Sequence, residues 1–283
     1  IRAVPPIPGG LPWLGNWLQF RADRLGVQDA AARTGPIARM QMGPIPIYVI
    51  TDAELAREVL VEPPGAFTRS PALEIMKPLL GEGLLTADGE PHRKHRKLLA
   101  PAFAPKRLAA YAEVMVDETL RQLGGWLPGQ HIDLSREMME MTLAIAGKTM
   151  FGADVRGDAR DVAHAIDLGM RAHSRAVASP LRLPYEWPLP RHIQMRRAAG
   201  TLDSIVFRLI AEGRARGTDR GDVLSILLLA RDDEDGTGLS DRQIRDEVMT
   251  LLLAGHETTA NALTWTWYEL ARDPRTYEVL RAE

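Results

Sequence analysis

Ala254-Gly255-His256-Glu257-Thr258-Thr259 sets a glycine, an imidazole, a carboxylate and two hydroxyls inside a nearly continuous apolar run from Glu247 to Leu270. Polar groups in a buried helix cost free energy unless they are partnered. A mid-helix Thr hydroxyl also competes for backbone carbonyls. Five such residues together point to a site. Ala254 and Gly255 leave the helix surface flat enough for a planar ligand to approach. Thr258 follows Ala254 by four residues and shares its face. A Thr hydroxyl bonded to the i−4 carbonyl beside a glycine can bend or open a helix, admitting water or a diatomic molecule. Glu257 can supply a proton through water. The plainer reading is a kinked core helix with Glu257 paired elsewhere, and His256 a satisfied helix residue.

A second constellation is His92-Arg93-Lys94-His95-Arg96-Lys97. His92 and Arg96 are i, i+4 on one face, and Leu98, Leu99, Phe103 and Leu108 are expected to continue inward packing. A cationic pair turned inward calls for a buried anion, and Arg offers a carboxylate or phosphate a bidentate fork. Arg93, Lys94 and Lys97 then form a basic outer patch. The plainer reading is a solvated basic helix start, although six basic residues there oppose the helix dipole.

Other chemistries are excluded. Asp232-Asp233-Glu234-Asp235-Gly236 resembles half a calcium loop. With Gly236 as the sixth residue, however, Arg231 and Arg242 occupy the first and twelfth positions. His256-Glu257 is followed by Ala260 where a zinc hydrolase needs a second His. No Gly-x-Gly-x-x-Gly or phosphate loop occurs. The absence of Cys removes disulfides, thiol nucleophiles and Cys-held metals. A net charge of −2 gives no global field for nucleic acid. The apolar segment 248–270 carries His256, Glu257, Asn261 and Glu269, which a lipid-facing span would not tolerate. A protein with no membrane span, placed in the cytoplasm, is expected.

These sites need elements to hold them. The opening, rich in Pro and Gly, reads as an extended arm, and Ile37–Met42 and Ile45–Ile50 flank Gly43-Pro44 as a hairpin. Asp52 caps a short helix through Val61. Residues 62–91 read as a functional loop. Helices are predicted over His92–Ala100, Pro105–Trp126, Leu134–Phe151, Asp158–Val177, Arg191–Arg216, Asp222–Arg231 and Asp241–Arg272, with a proline-rich connection over Ser179–Pro190. Asp273-Pro274 opens another helix, which lacks a stop signal. The expectation is therefore the front part of a longer protein, mainly α with a small β portion. Residues 1–70 form an arm, hairpin and short helix, and 71–283 a helical ligand-binding part.

The 254–259 segment and the His92/Arg96 pair together resemble the cytochrome P-450 haem-thiolate monooxygenases of the soluble bacterial type. The likeness runs the whole chain and is especially close from Leu239 to Thr259. Family members often carry Trp where His92 stands, and His keeps a donor. The resemblance implies haem b (iron protoporphyrin IX) held at its propionates by His92 and Arg96, with Ala254, Gly255 and Thr258 on its distal side. It implies O2 as co-substrate, Thr258 and Glu257 in oxygen activation and proton delivery, and NAD(P)H electrons arriving through a ferredoxin or flavodoxin docked on the basic patch. Met76, Leu80, Leu85, Thr250, Leu251 and Ala254 would line a pocket for a lipophilic substrate such as a fatty acid or terpenoid. Ser179–Pro190 would be a mobile lid over it.

The family's iron is held by a Cys thiolate, and this chain has no Cys. The fold is thus expected to be incomplete at the C-terminus, without the Cys-loop region, and the 283 residues alone inactive. The competing class is a non-catalytic helical binding protein for a lipophilic or haem-like ligand.

Overall fold

The computed structural model describes residues 3–61, 67–153, 155–177, 179, 183–231 and 236–283. The acidic turn 232–235, Pro63-Pro64-Gly65 and part of the expected lid (180–182) lie outside them. Packing divides the chain into two units, 1–69 with 174–185, and 70–173 with 186–283.

The first unit holds α1 (Trp17–Ala22), α2 (Arg24–Thr34), β1 (Ile37–Met42), β2 (Ile45–Ile50) and α3 (Ala53–Val61). The strands pair antiparallel, with Ile37 opposite Ile50 and Met42 opposite Ile45. The opening arm is tied to β1, since Ile7 N donates to Arg39 O at 2.9 Å and Arg39 N to Pro5 O at 2.8 Å. Ile7, Val27, Ala31, Ala38 and Met40 form the core, so α2 supplies the cover that two strands cannot provide alone. Asp52 Oδ1 accepts from Leu55 N at 3.0 Å at the start of α3, as a helix-capping Asp does.

The second unit is helical: α4 (Pro71–Glu74), α5 (Lys77–Leu80), α6 (Gly89–Leu99), α7 (Pro105–Gly124), α8 (Leu134–Phe151), α9 (Ala159–Val177, its end grouped with the first unit), α10 (Pro190–Arg216), α11 (Val223–Leu229), α12 (Asp241–Arg272) and α13 (Pro274–Ala282). A capping box starts α12, with Ser240 Oγ accepting from Gln243 N and the Gln243 side chain from Ser240 N. α12 packs most extensively on α8 and also meets α10, α5 and α11. Met138, Met141 and Ala260 close part of the α8–α12 seam. No described helix is long and apolar enough to cross a membrane.

Two short helices, α4 and α5, occupy what the sequence presents as one long loop. The turn after them is pressed onto α12. A Cβ on Gly83 would stand 2.5 Å from Asp246 O and 2.6 Å from Thr250 Oγ1, so only glycine fits.

Candidate active site

α12 runs through Ala254–Thr259 without interruption. Ala254 and Thr258 are both exposed on one face of a helix whose earlier turns, from Ile244 to Thr250, are buried. Thr258 Oγ1 donates to Ala254 O at 2.5 Å. Thr264 and Thr266 make the same i−4 bond, to Ala260 and Ala262, each at 2.8 Å. The bond is therefore ordinary local chemistry; what sets Thr258 apart is its place on an open face one turn from Ala254.

His256 turns the opposite way. It is 1% exposed, its Nε2 lies 3.1 Å from Met139 O, and Thr142 Oγ1 donates to its carbonyl at 3.2 Å. Burial lowers its pKa from 6.5, only partly offset by the Met139 bond, so the ring sits neutral between α8 and α12. Gly255 also faces α8, because a Cβ there would lie 3.1 Å from Met150 Cε. Its smallness serves the helix–helix approach.

Glu257 is half-buried. Desolvation first, and then the negative charge of Asp167 on α9, raise its carboxyl above the ordinary value of 4.5. A carboxyl so placed holds a proton more readily than one in water, as a proton donor should. The folded state thus binds that proton more tightly than the unfolded chain. This group's contribution to stability is therefore lost as pH rises from the ordinary carboxylate range through the raised folded value. Glu257→Gln is expected to gain stability relative to wild type across that window and to hold the gain above it. Parallel stability curves against pH for the two proteins would mean that Glu257 titrates as it does unfolded.

α6 turns a different residue inward than expected. His95, Leu98 and Leu99 are its buried positions, while His92 is half-buried and Arg96 exposed. His95 Nδ1 lies 2.7 Å from Glu247 Oε1. Among the described residues no carboxylate comes within ion-pair distance of Arg96, whereas Arg93 is taken up by Glu90 of its own helix. The inward stripe does not continue through Phe103 and Leu108, which are 45% and 48% exposed. The 3-10 turn Ala100–Phe103 breaks the helical period between α6 and α7.

The expected pocket residues separate. Leu85 is exposed, Leu251 half-buried and Thr250 5% exposed. Met76 and Leu80 are core residues, 5% and 0% exposed. Leu80 lines a cavity of about 10 Å³ with Leu79, Ile166, Leu202, Met249 and Leu252. Met249 and Leu252 point away from the Ala254–Thr258 face, so Leu80 is removed from the site by α12 itself.

The sequence reading passed over Arg245-Asp246-Glu247, the turn that precedes the apolar run. All three are buried, at 1%, 5% and 0% exposure. Arg245 Nη1 donates to Asp246 Oδ1 at 2.9 Å and Nη2 to Leu79 O at 2.8 Å, and its guanidinium also grips Asp203 of α10. Asp246 Oδ2 accepts from Glu82 N at 2.9 Å, and Glu247 Oε2 from Leu84 N at 3.1 Å. A signal was present in the sequence. Three consecutive residues sweep about 200° of a helix, so with Ile244 and Val248 on either side they cannot all face water.

A haem group can be tested against these side chains. The open Ala254–Thr258 strip, followed by Trp265 at 63% exposure, suits a broad apolar plane. Arg96 and His92 on α6 supply donors of the kind that two propionate carboxylates require. These parts fit. A thiolate ligand for its iron has no candidate among the 283 residues, which contain no Cys. No group of three or more His, Cys, Asp or Glu among the described residues could hold a metal ion by itself.

Known proteins resemble this chain over most of its length. Cyclooctatin synthase of Streptomyces melanosporofaciens is 38% identical, with 98% of this chain and 61% of that protein aligned. Cyclooctat-9-en-7-ol 5-monooxygenase of the same organism is 32% identical over 98% of this chain and 60% of its own length. Pentalenene oxygenase of Streptomyces avermitilis is 32% identical over 94% and 59%. The chain thus spans about three fifths of the length of these relatives. The cytochrome P-450 family is matched over residues 5–283, and the chain belongs to the cytochrome P-450 family.

Proposed function

We propose that the protein carrying this chain is a haem-dependent monooxygenase. It inserts one atom of O2 into a lipophilic small molecule, drawing NAD(P)H electrons through a separate ferredoxin or flavodoxin. The observation that carries this reading is the pairing of an exposed Ala254–Thr258 face with Glu257 beside it, whose carboxyl holds its proton above the ordinary range. Haem b, when bound, supplies the activation of O2. Residues 71–283 form the haem- and substrate-binding part, and residues 1–70 the arm and hairpin that flank it in sequence.

In this reading Ala254 would give the haem a flat apolar contact, with Gly255 next to it in sequence. Arg96 and His92 hold the propionates by charge-assisted hydrogen bonds. The Thr258 hydroxyl, bonded to a backbone carbonyl, passes on a proton that Glu257 replenishes from solvent. Leu85 and Leu251 bound the substrate side, with Thr250 behind them. Two of the relatives are named for oxygenating cyclooctat-9-en-7-ol and pentalenene, which favours a terpenoid hydrocarbon or alcohol over a fatty acid here. Burying such a molecule releases about 25 cal/mol per Å² of apolar surface. Lys97, exposed on α6, together with Lys94 and Arg93, forms the cationic surface that an acidic redox protein would meet, in the cytoplasm.

The test is a spectrum of the haem-loaded protein reduced under carbon monoxide. A thiolate-type Soret shift is expected. An imidazole-type spectrum would favour the rival reading, a non-catalytic binder of haem-like or lipophilic ligands.

A further inference from the structure

Glu247 is completely buried, and its two oxygens face different elements. Oε1 lies 2.7 Å from His95 Nδ1 on α6, and Oε2 accepts from Leu84 N in the turn before α6 at 3.1 Å. Its neighbour Asp246 takes the Glu82 amide of the same turn at 2.9 Å. One turn of α12 therefore touches both the segment that leads into α6 and α6 itself. Glu247 precedes Ala254 by seven residues and Thr258 by eleven, so all three share one helix face, with Ala254 about 10 Å further along. His95 stands between His92 and Arg96 in sequence, three residues after one and next to the other.

A buried carboxylate is a poor choice for fastening helices together. Its desolvation costs several kcal/mol, and an apolar pair of similar volume is often as stable or more so. What the polar pair adds is selectivity: a buried imidazole and carboxyl 2.7 Å apart have each other as neighbours, and sliding one helix past the other would leave both buried without a polar partner, whereas apolar contact tolerates such sliding. We propose that Glu247 is a positioning residue for the haem. Through His95 it sets the rotation of α6 so that His92 and Arg96 are presented toward the α12 face carrying Ala254 and Thr258. This rests on the haem-binding reading above.

The test is hemin titration of the whole protein that carries this chain, read by binding affinity and by the induced Soret circular dichroism, which reports how the porphyrin is seated. Glu247→Gln keeps the size of the side chain and an acceptor for Leu84 N, but removes the charge. It is expected to raise the hemin dissociation constant about tenfold, as loss of outer-shell partners does at metal sites, and to alter the Soret dichroism. His95→Asn should act in the same direction, and it serves if the Gln variant fails to fold. Arg96→Leu should also weaken hemin binding, and Glu247→Gln added to it should cost much less than it costs alone, because the grip it orients is already gone. A folded Glu247→Gln protein with unchanged affinity and dichroism, or strictly additive losses with Arg96→Leu, overturns the positioning role while leaving the haem reading intact. If wild type takes up no hemin, both fail together.

Discussion

Arg245→Ala is expected to destabilise the second unit by about 3–5 kcal/mol, the usual loss when one partner of a buried ion pair is removed. Arg245 is 1% exposed and joins three elements: Asp203 on α10, the Leu79 carbonyl at the end of α5, and Asp246 on its own helix. Removing it leaves the part-exposed Asp203 without this cation, the buried Leu79 carbonyl without this donor, and Asp246 with the Glu82 amide and the Arg242 guanidinium at 3.5 Å. The melting temperature should fall by on the order of 10 °C, given the size of the chain. Denaturant unfolding should show a lower midpoint with an unchanged slope. The charge origin can be separated from the lost packing. Asp246→Asn, added to Arg245→Ala, should recover part of the loss, because it removes one of the charges that Arg245 had paired. If the two losses simply add, Asp246 does not depend on Arg245, and the cluster is not a network.

In the protein that carries this chain, Thr258→Ala should leave stability almost untouched and yet cut the product formed per electron consumed by about a hundredfold, the lower end of the 10²–10⁴ that a well-placed proton-transferring group contributes. The two effects separate because Thr258 is exposed and its hydroxyl bonds to its own helix. Alanine is the better helix former at such a position. A stable variant that consumes reducing equivalents without matching product would place the hydroxyl in proton delivery. Thr258→Ser, which restores a hydroxyl, should recover most of the coupling. Coupling in the Ala variant equal to wild type would remove Thr258 from the mechanism.

Both predictions concern α12, and they differ in how visible they are in the sequence. The 254–259 segment stands out because polar groups interrupt an apolar run. The Arg245-Asp246-Glu247 turn is less visible, because charges near the start of a helix look like a solvated face, although three in a row cannot all meet water. Only burial by α10, α5 and the 81–88 turn makes that cluster structural. The same cause accounts for α6. A one-helix view places His92 and Arg96 on an inward face, whereas the partner actually met by the helix, Glu247, lies more than 150 positions away and selects His95.

By itself the sequence determined the local elements whose signals are self-contained. The hairpin, with glycine at its turn, and the long helices Leu134–Phe151 and Asp241–Arg272, with Asp or Ser caps, follow from short-range backbone bonding and periodicity. The small helices α1 and α2 were not read because they carry no strong apolar period and are held by the arm and β1. Tertiary structure alone decided which polar groups are partnered and which faces stay open. Glu247 has His95 and Leu84, Leu80 lies behind α12, and Ala254 and Thr258 remain exposed. The reason is physical: the cost or benefit of a side chain depends on its neighbours in space, and in a helical core those neighbours come from distant parts of the chain.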